Sequence, residues 1–151
     1  MNQKTYTPLL SEVLKKVHNA KTKGKKIEIL KEHDCDSLRM IIKSSFDPAI
    51  EWEIPAGEVP YTANEASEGT EHTVLRRESR KLYHFIKGGN TTLATFKKEN
   101  MFIQMLEGLH ISEAELIIAA KDKSLHKVFK GLSENVVKEA FGWNDNYQRS
   151  Q

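Results

Sequence analysis

Two lysine-rich stretches have the residue types needed to hold phosphate. Lys21, Lys23, Lys25 and Lys26 crowd a break that also contains Thr22 and Gly24, and Lys121, Lys123, Lys127 and Lys130 fall within ten positions of one another. Ammonium groups and the backbone N–H groups of helix starts both suit phosphate oxygens. A second kind of chemistry belongs to Asp47, Glu51 and Glu53. Carboxylates at this spacing could hold Mg²⁺ or act as an acid–base pair, although solvated surface acids are the plainer reading. Trp52 and Tyr61 lie among those acids, and aromatic side chains of this kind anchor protein interfaces.

Other chemistries lack their residues. Histidines stand at positions 18, 33, 72, 84, 110 and 126 and form no metalloprotease-type pair. The single cysteine, Cys35, cannot supply a zinc knuckle or an internal disulfide, and it fits a reducing cytosol. Gly88-Gly89 belongs to neither a P-loop nor a dinucleotide fingerprint. The expectation is a protein with no enzymatic activity, no metal and no cofactor.

Charge is informative once it is divided along the chain. The net value is only +2. Residues 1–46 carry +5, residues 47–71 carry −7 with no base at all, residues 72–111 carry +4, and residues 112–151 are neutral. Two basic segments therefore flank an acidic one, and local fields of this kind steer partners more than the total does.

The elements that must position these groups are helical. Thr7-Pro8 reads as an N-cap and first turn, followed by the stripe Leu9, Leu10, Val13, Leu14 and Val17. Ile27 and Leu30 mark a second helix. Leu38, Ile41, Ile42 and Phe46 mark a third, opened by Asp36 and stopped by Asp47-Pro48. Residues 47–71 read as an extended acidic arm, with Ile50, Trp52 and Ile54 alternating and three prolines at 48, 55 and 60. Val74, Leu75, Leu82, Phe85 and Ile86 predict a fourth helix ending at Gly88-Gly89-Asn90. Leu93, Phe96, Ile103 and Leu106 predict a fifth. Ser112 with Glu115 reads as a capping box, stapled by Ile111 and Leu116, ahead of a sixth helix. Ser133 caps the last one, which carries Val136, Val137, Ala140 and Phe141 and stops at Gly142. The tail from Asn144 reads as frayed.

The fold class is thus all-α: a single compact domain of about seven helices over residues 1–151. Helices 1–3 occupy 8–46, the arm 47–71, helices 4–7 residues 72–142 and a polar tail 143–151. With 38% hydrophobic and 29% charged residues and no long apolar run, membrane and secreted classes are not expected.

Several segments taken in order carry a resemblance. They are Thr22-Lys23 through Ile27 and Leu30; Ser45-Phe46 with Trp52 to Pro55; Arg80-Lys81-Leu82 leading to Gly89-Asn90; and Lys127-Val128-Phe129-Lys130-Gly131-Leu132. Together, over residues 9–141, they resemble the N-terminal helical DNA-binding domain of phage ATP-dependent DNA ligases. The chain is also similar to small uncharacterised proteins of tailed, often marine, phages related to the T-even group, most closely from Gly131-Leu132-Ser133 through Ala140-Phe141. The likeness implies a cytoplasmic protein of an infected bacterial cell that grips duplex DNA, intact or nicked, through phosphates and without reading sequence. The positions it implies are Lys23, Lys25, Lys26, Gly89, Asn90, Lys127 and Lys130, and Lys121 and Lys123 would extend the patch. No Lys-x-Asp-Gly occurs, so this chain has no adenylation lysine and cannot ligate. Lys130 stands where that family often has proline, and Ser124-Leu125-His126 replaces a glycine-containing loop. The alternative expectation is an adaptor that binds a host or phage protein through Glu51, Trp52, Glu53 and Tyr61 of the arm.

Overall fold

In the computed structural model, residues 7–63 and 73–149 are described. The apolar stripes become helices where the spacing placed them. Helix α1 covers Leu10–Asn19, α2 Lys23–Glu32 and α3 Asp36–Phe46. Leu10, Val13, Leu14 and Val17 are fully buried, as are Ile41 and Ile42. Asp47 turns to an extended backbone ahead of Pro48, and α3 ends there. After the arm come α4 (Leu75–Glu78), a 3₁₀ segment (Ser79–Phe85), α5 (Thr95–Gly108), α6 (Ile111–Lys121), α7 (Leu125–Val128) and α8 (Glu134–Phe141). The fold is all-helical and forms one compact domain.

Helix α6 is the hub. Its Ala114, Leu116, Ile117, Ala119 and Ala120 are all buried, and it packs against α1, α3, α5 and α7. A helix that is apolar nearly all round belongs inside. Glu113, fully buried on the same helix, accepts the backbone N–H of Leu10 at 3.0 Å and that of Leu75 at 3.0 Å. One carboxylate thus satisfies the starts of α1 and α4, whose first N–H groups have no partner within their own helix. Helices α1, α2 and α8 pack as a group beside this hub.

Several local expectations are corrected. Helix α1 begins two residues after Pro8, and Leu9 rather than Thr7 is its N-cap, with the Leu9 N–H donating to Glu12 at 2.9 Å. The cap of α6 is His110, whose Nδ1 accepts the Ser112 N–H at 3.1 Å. Ser112 instead turns its hydroxyl to Ser11 at 2.8 Å, and Ile111 stays 40% exposed, so no staple closes. The fourth helix is one α-turn continued as a 3₁₀ segment. Helix α5 is rotated from the expected phase: Phe96 is exposed, while Lys98, Phe102 and Met105 face inward with Leu106. Ser133 caps α8 as expected, accepting the Val136 N–H at 3.3 Å.

As far as Arg149 the tail is folded back, not frayed. Tyr147 is buried, its ring 5.9 Å from that of Trp143, and Trp143 pairs with Arg149 in an isolated antiparallel bridge. Arg149 reaches Asp34 at 3.4 Å, which seats this part of the tail beside the α2–α3 turn.

Candidate nucleic-acid interface

The two lysine stretches, a hundred residues apart in sequence, meet. The Lys130 backbone N–H donates to His18 Nδ1 at 2.9 Å, which joins the turn after α7 to the end of α1. Beside it, Gly131 leaves just enough room for the Lys26 side chain, since a Cβ at 131 would stand 2.3 Å from the Lys26 nitrogen. Lys26 spends its ammonium on the last carbonyls of α1, reaching Val17 at 2.9 Å and Ala20 at 2.5 Å. It closes a helix C-terminus, a favourable place for a cation, and is not free for a ligand. Around this junction Lys21, Lys23, Lys25, Lys127 and Lys130 are exposed. Lys23 pairs with Glu139 at 3.5 Å and Lys25 with Glu28 at 3.6 Å, both loose and more than half exposed. Pairs of this kind contribute little and exchange readily for another anion. Thr22 caps α2 by accepting the Lys25 N–H at 3.2 Å, and the first turn of α2 holds no acid. The junction is therefore positive at its lysines and at the helix start together.

Lys121 and Lys123 do not join it. The Lys121 side chain is wholly buried, with its ammonium donating to Pro55 O at 2.7 Å, Gly57 O at 3.1 Å and Asp122 at 2.6 Å. Lys123 sits in the left-handed region at φ 58° and donates to Asp47 O at 2.7 Å. Burial pushes the Lys123 ammonium below its ordinary pKa, against the pull of Asp47 and Glu51. Both lysines clamp the acidic arm to the body. Lys121 lies four residues from Ile117 and eight from Glu113, and so shares their buried face of α6.

Gly89 and Asn90 form a turn built against the 3₁₀ segment. Asn90 Oδ1 accepts from the Thr92 N–H at 3.1 Å and the Thr92 hydroxyl at 3.0 Å, and its amide meets His84 Nδ1 at 2.9 Å. Gly88 takes φ 86°, a conformation that suits glycine.

The described part of the arm is likewise tied down. Trp52 is half-buried, donates its Nε1–H to Ser44 O at 3.1 Å, bridges Ile86, and meets Phe102 edge-on at 6.2 Å. Glu53 pairs at 2.5 Å with Lys98, whose side chain is only 6% exposed, and Glu51 stands 3.6 Å from Lys87. These three arm residues are thus occupied, Trp52 half-buried and Glu51 and Glu53 at the surface. Residues 64–71, the rest of the arm, lie outside the described residues. Among the described residues no group of three or more His, Cys, Asp or Glu is placed to hold a metal ion, so Asp47, Glu51 and Glu53 do not converge. What the arm does form is one wall of an open groove of about 510 Å³, where Glu58, Val59 and Tyr61 face Glu115, Ile118 and Val128. Burial raises the Tyr61 phenol above its ordinary pKa, with the Glu115 charge adding to the effect.

No helix among the described residues is long and apolar enough to cross a membrane. No curated protein and no solved structure matches the chain. One family model does, over residues 13–127, from the middle of α1 to α7 and so through most of the elements described above. The chain belongs to that family, DUF6433, a family of unknown function.

Proposed function

We propose that this chain is a non-enzymatic module that binds duplex DNA through its phosphates without reading sequence. The observation that carries the proposal is the seating of the α7–α8 turn on the α1–α2 turn by Lys130, His18, Lys26 and Gly131. It places two sets of exposed lysines, unrelated in sequence, at one junction. Phosphate contacts give affinity and register and carry no base information. The resemblance of the segment order to the ligase DNA-binding domain supports the same reading, with nicked duplex as one form of the ligand. On this reading the protein works in the cytoplasm of an infected bacterial cell.

Fluorescence anisotropy with intact and nicked duplexes tests it. If all five exposed lysines contact phosphate, log affinity falls with log salt at a slope of about −4.5, which is roughly 500-fold weaker binding at ~200 mM than at ~50 mM salt. Reversing Lys23, Lys25 and Lys130 together to glutamate abolishes binding. These side chains are exposed, and the Lys130 contact with His18 uses the backbone, so the fold survives the change. A flat salt response, or unchanged affinity in the triple variant, overturns the proposal.

A second reading rests on the groove beside Tyr61. Its carboxylates Glu58 and Glu115 and its apolar Val59, Ile118 and Val128 suit a basic, partly apolar segment of a protein partner. On that reading the chain is an adaptor, and a partner bound equally well by wild type and by a Tyr61→Ala, Glu115→Lys double variant removes it.

A further inference from the structure

The 3₁₀ segment Ser79–Phe85 runs for seven residues, well beyond the three or four usual for this conformation. Its three residues per turn sort the side chains into three rows, because positions i and i+3 eclipse. Ser79, Leu82 and Phe85 form the buried row. Glu78, Lys81 and His84 form the second, with Lys81 3.3 Å from Glu78, and line a hollow of about 270 Å³ with Met101 and Gln104. The third row, Arg80 and Tyr83 with Arg77 of α4 ahead of them, faces solvent throughout.

We infer that this third row is a second binding site, for an unpaired nucleic-acid strand, in which Tyr83 stacks on a base while Arg80 and Arg77 hold the flanking phosphates. Tyr83 is 51% exposed. Its ring lies against the His84 ring, centroids 4.0 Å apart and planes tilted by 34°. His84 is fixed in turn by the Asn90 amide, and Gly89 packs directly on the Tyr83 carbonyl. From His84 the aromatic contacts continue inward to Phe85 at 6.3 Å and Phe102 at 5.2 Å. The exposed ring is therefore the outer end of a row rooted in the core, held ready before any ligand arrives. Arg80 and Arg77 make no ion pair among the described residues. Arg80 and Tyr83, both within the 3₁₀ segment, stand about 6 Å apart along the axis, one turn at ~2 Å rise per residue, and Arg77 precedes them from α4. An aromatic face beside a line of cations is the arrangement that binds single strands without regard to sequence, because every base offers a π-face. A duplex buries those faces in its own stack, so this site and the lysine junction select different ligands.

Anisotropy on the full chain at ~50 mM salt tests the inference with four labelled probes: a thymidine strand, a uridine strand, an abasic strand of the same length and a duplex. The thymidine or uridine strand binds, and the tighter of the two assigns DNA or RNA as the source. Tyr83→Ala weakens that binding about tenfold, a typical loss for one stacked base. It leaves the abasic strand and the duplex unchanged, and Tyr83→Trp restores affinity. Arg77→Gln with Arg80→Gln flattens the salt slope for the strand by about 1.4, at ~0.7 per phosphate contact. Two results overturn the inference: no single-strand binding by wild type, or a Tyr83→Ala affinity equal to wild type. The glutamate variant of Lys23, Lys25 and Lys130 keeps strand binding. In wild type, absence of duplex binding alone therefore counts against the lysine junction, and absence of strand binding alone against the Tyr83 row.

Discussion

Gly89 lies so close to Tyr83 that a Cβ at position 89 would stand 2.0 Å from the Tyr83 carbonyl oxygen. That oxygen is backbone and cannot swing away. Gly131 is crowded too, with its virtual Cβ 2.3 Å from the Lys26 nitrogen, but there the neighbour is the far end of a flexible side chain. The two glycines therefore differ in what their loss costs. Gly89→Ala forces the turn off the 3₁₀ segment and destabilises the fold by about 2 kcal/mol or more. Gly131→Ala only displaces the Lys26 ammonium from the α1 carbonyls, at a cost of about 1 kcal/mol or less. Urea unfolding of the two variants checks the order, and equal losses would show that the Gly89 turn has room to relax.

Glu113 carries more of the fold than any surface pair. It is fully buried and accepts from the first turns of two helices that are distant in sequence. Glu113→Ala leaves both N–H groups unsatisfied in the interior and costs about 3 kcal/mol. Glu113→Gln keeps one oxygen for one of the two N–H groups but sets its NH2 donor against the other, and loses about half of that. Thermal unfolding followed by circular dichroism separates the two. Equal losses would mean that the negative charge, rather than the acceptor, is what the α1 and α4 starts require.

Helix existence was legible wherever apolar residues recur at helical spacing and nothing charged interrupts them. The buried sets of α1, α3 and α8 are cases. Helix α5 was misphased because its inward stripe begins with Lys98, which finds its partner in Glu53 across the arm. A hydrophobic reading assigns lysine to solvent and so rotates the helix. The same default hid Lys121 and Lys123 as clamps of the arm. The α6 cap was missed because His110 does with Nδ1 what Ser112 was expected to do with its hydroxyl. The lysine junction was half legible: both stretches stand out in the sequence, while their meeting depends on α8 packing against α2. The Tyr83 row was not legible, since a 3₁₀ run and an α-helix share the same residues and differ in which of them line up.

Stability at high pH has a sign fixed by two phenols. Burial raises Tyr147 above its ordinary 10.0, helped by the Glu134 carboxylate, and burial raises Tyr61, helped by Glu115. An acid raised in the folded state contributes stability that is intact below its unfolded pKa and is lost as pH climbs through the folded one. Both phenols thus weaken the fold above pH 10. Lys123 acts oppositely. Its lowered pKa means that the cost of burying its charge, present at neutral pH, fades as pH rises through the folded value toward 10.5. The two phenols act together above pH 10, so the melting temperature falls between about pH 10 and about pH 11. Tyr147→Phe, which cannot ionise, falls less over the same range. A variant that tracks wild type would mean that Tyr147 is not held neutral by the folded tail.

Lys121 separates the sequence expectation from the structural one. As a phosphate contact it would lower duplex affinity when removed and leave stability alone. Buried beneath the arm, it does the reverse. Lys121→Met keeps the length of the stem but takes away the donor shared by Pro55 O, Gly57 O and Asp122. The loss is about 2 kcal/mol, within the range for a hydrogen-bonded charge whose acceptors are left without it. The arm, released at that point, exchanges its amide hydrogens faster around Ala56 to Glu58, while duplex affinity in the anisotropy assay stays at the wild-type value. A fall in affinity with unchanged exchange would return Lys121 to the phosphate-binding set and require the arm to lift in solution. The same pair of readouts applied to Lys127→Met should give the opposite pattern, weaker duplex binding with stability unchanged, because that side chain is exposed.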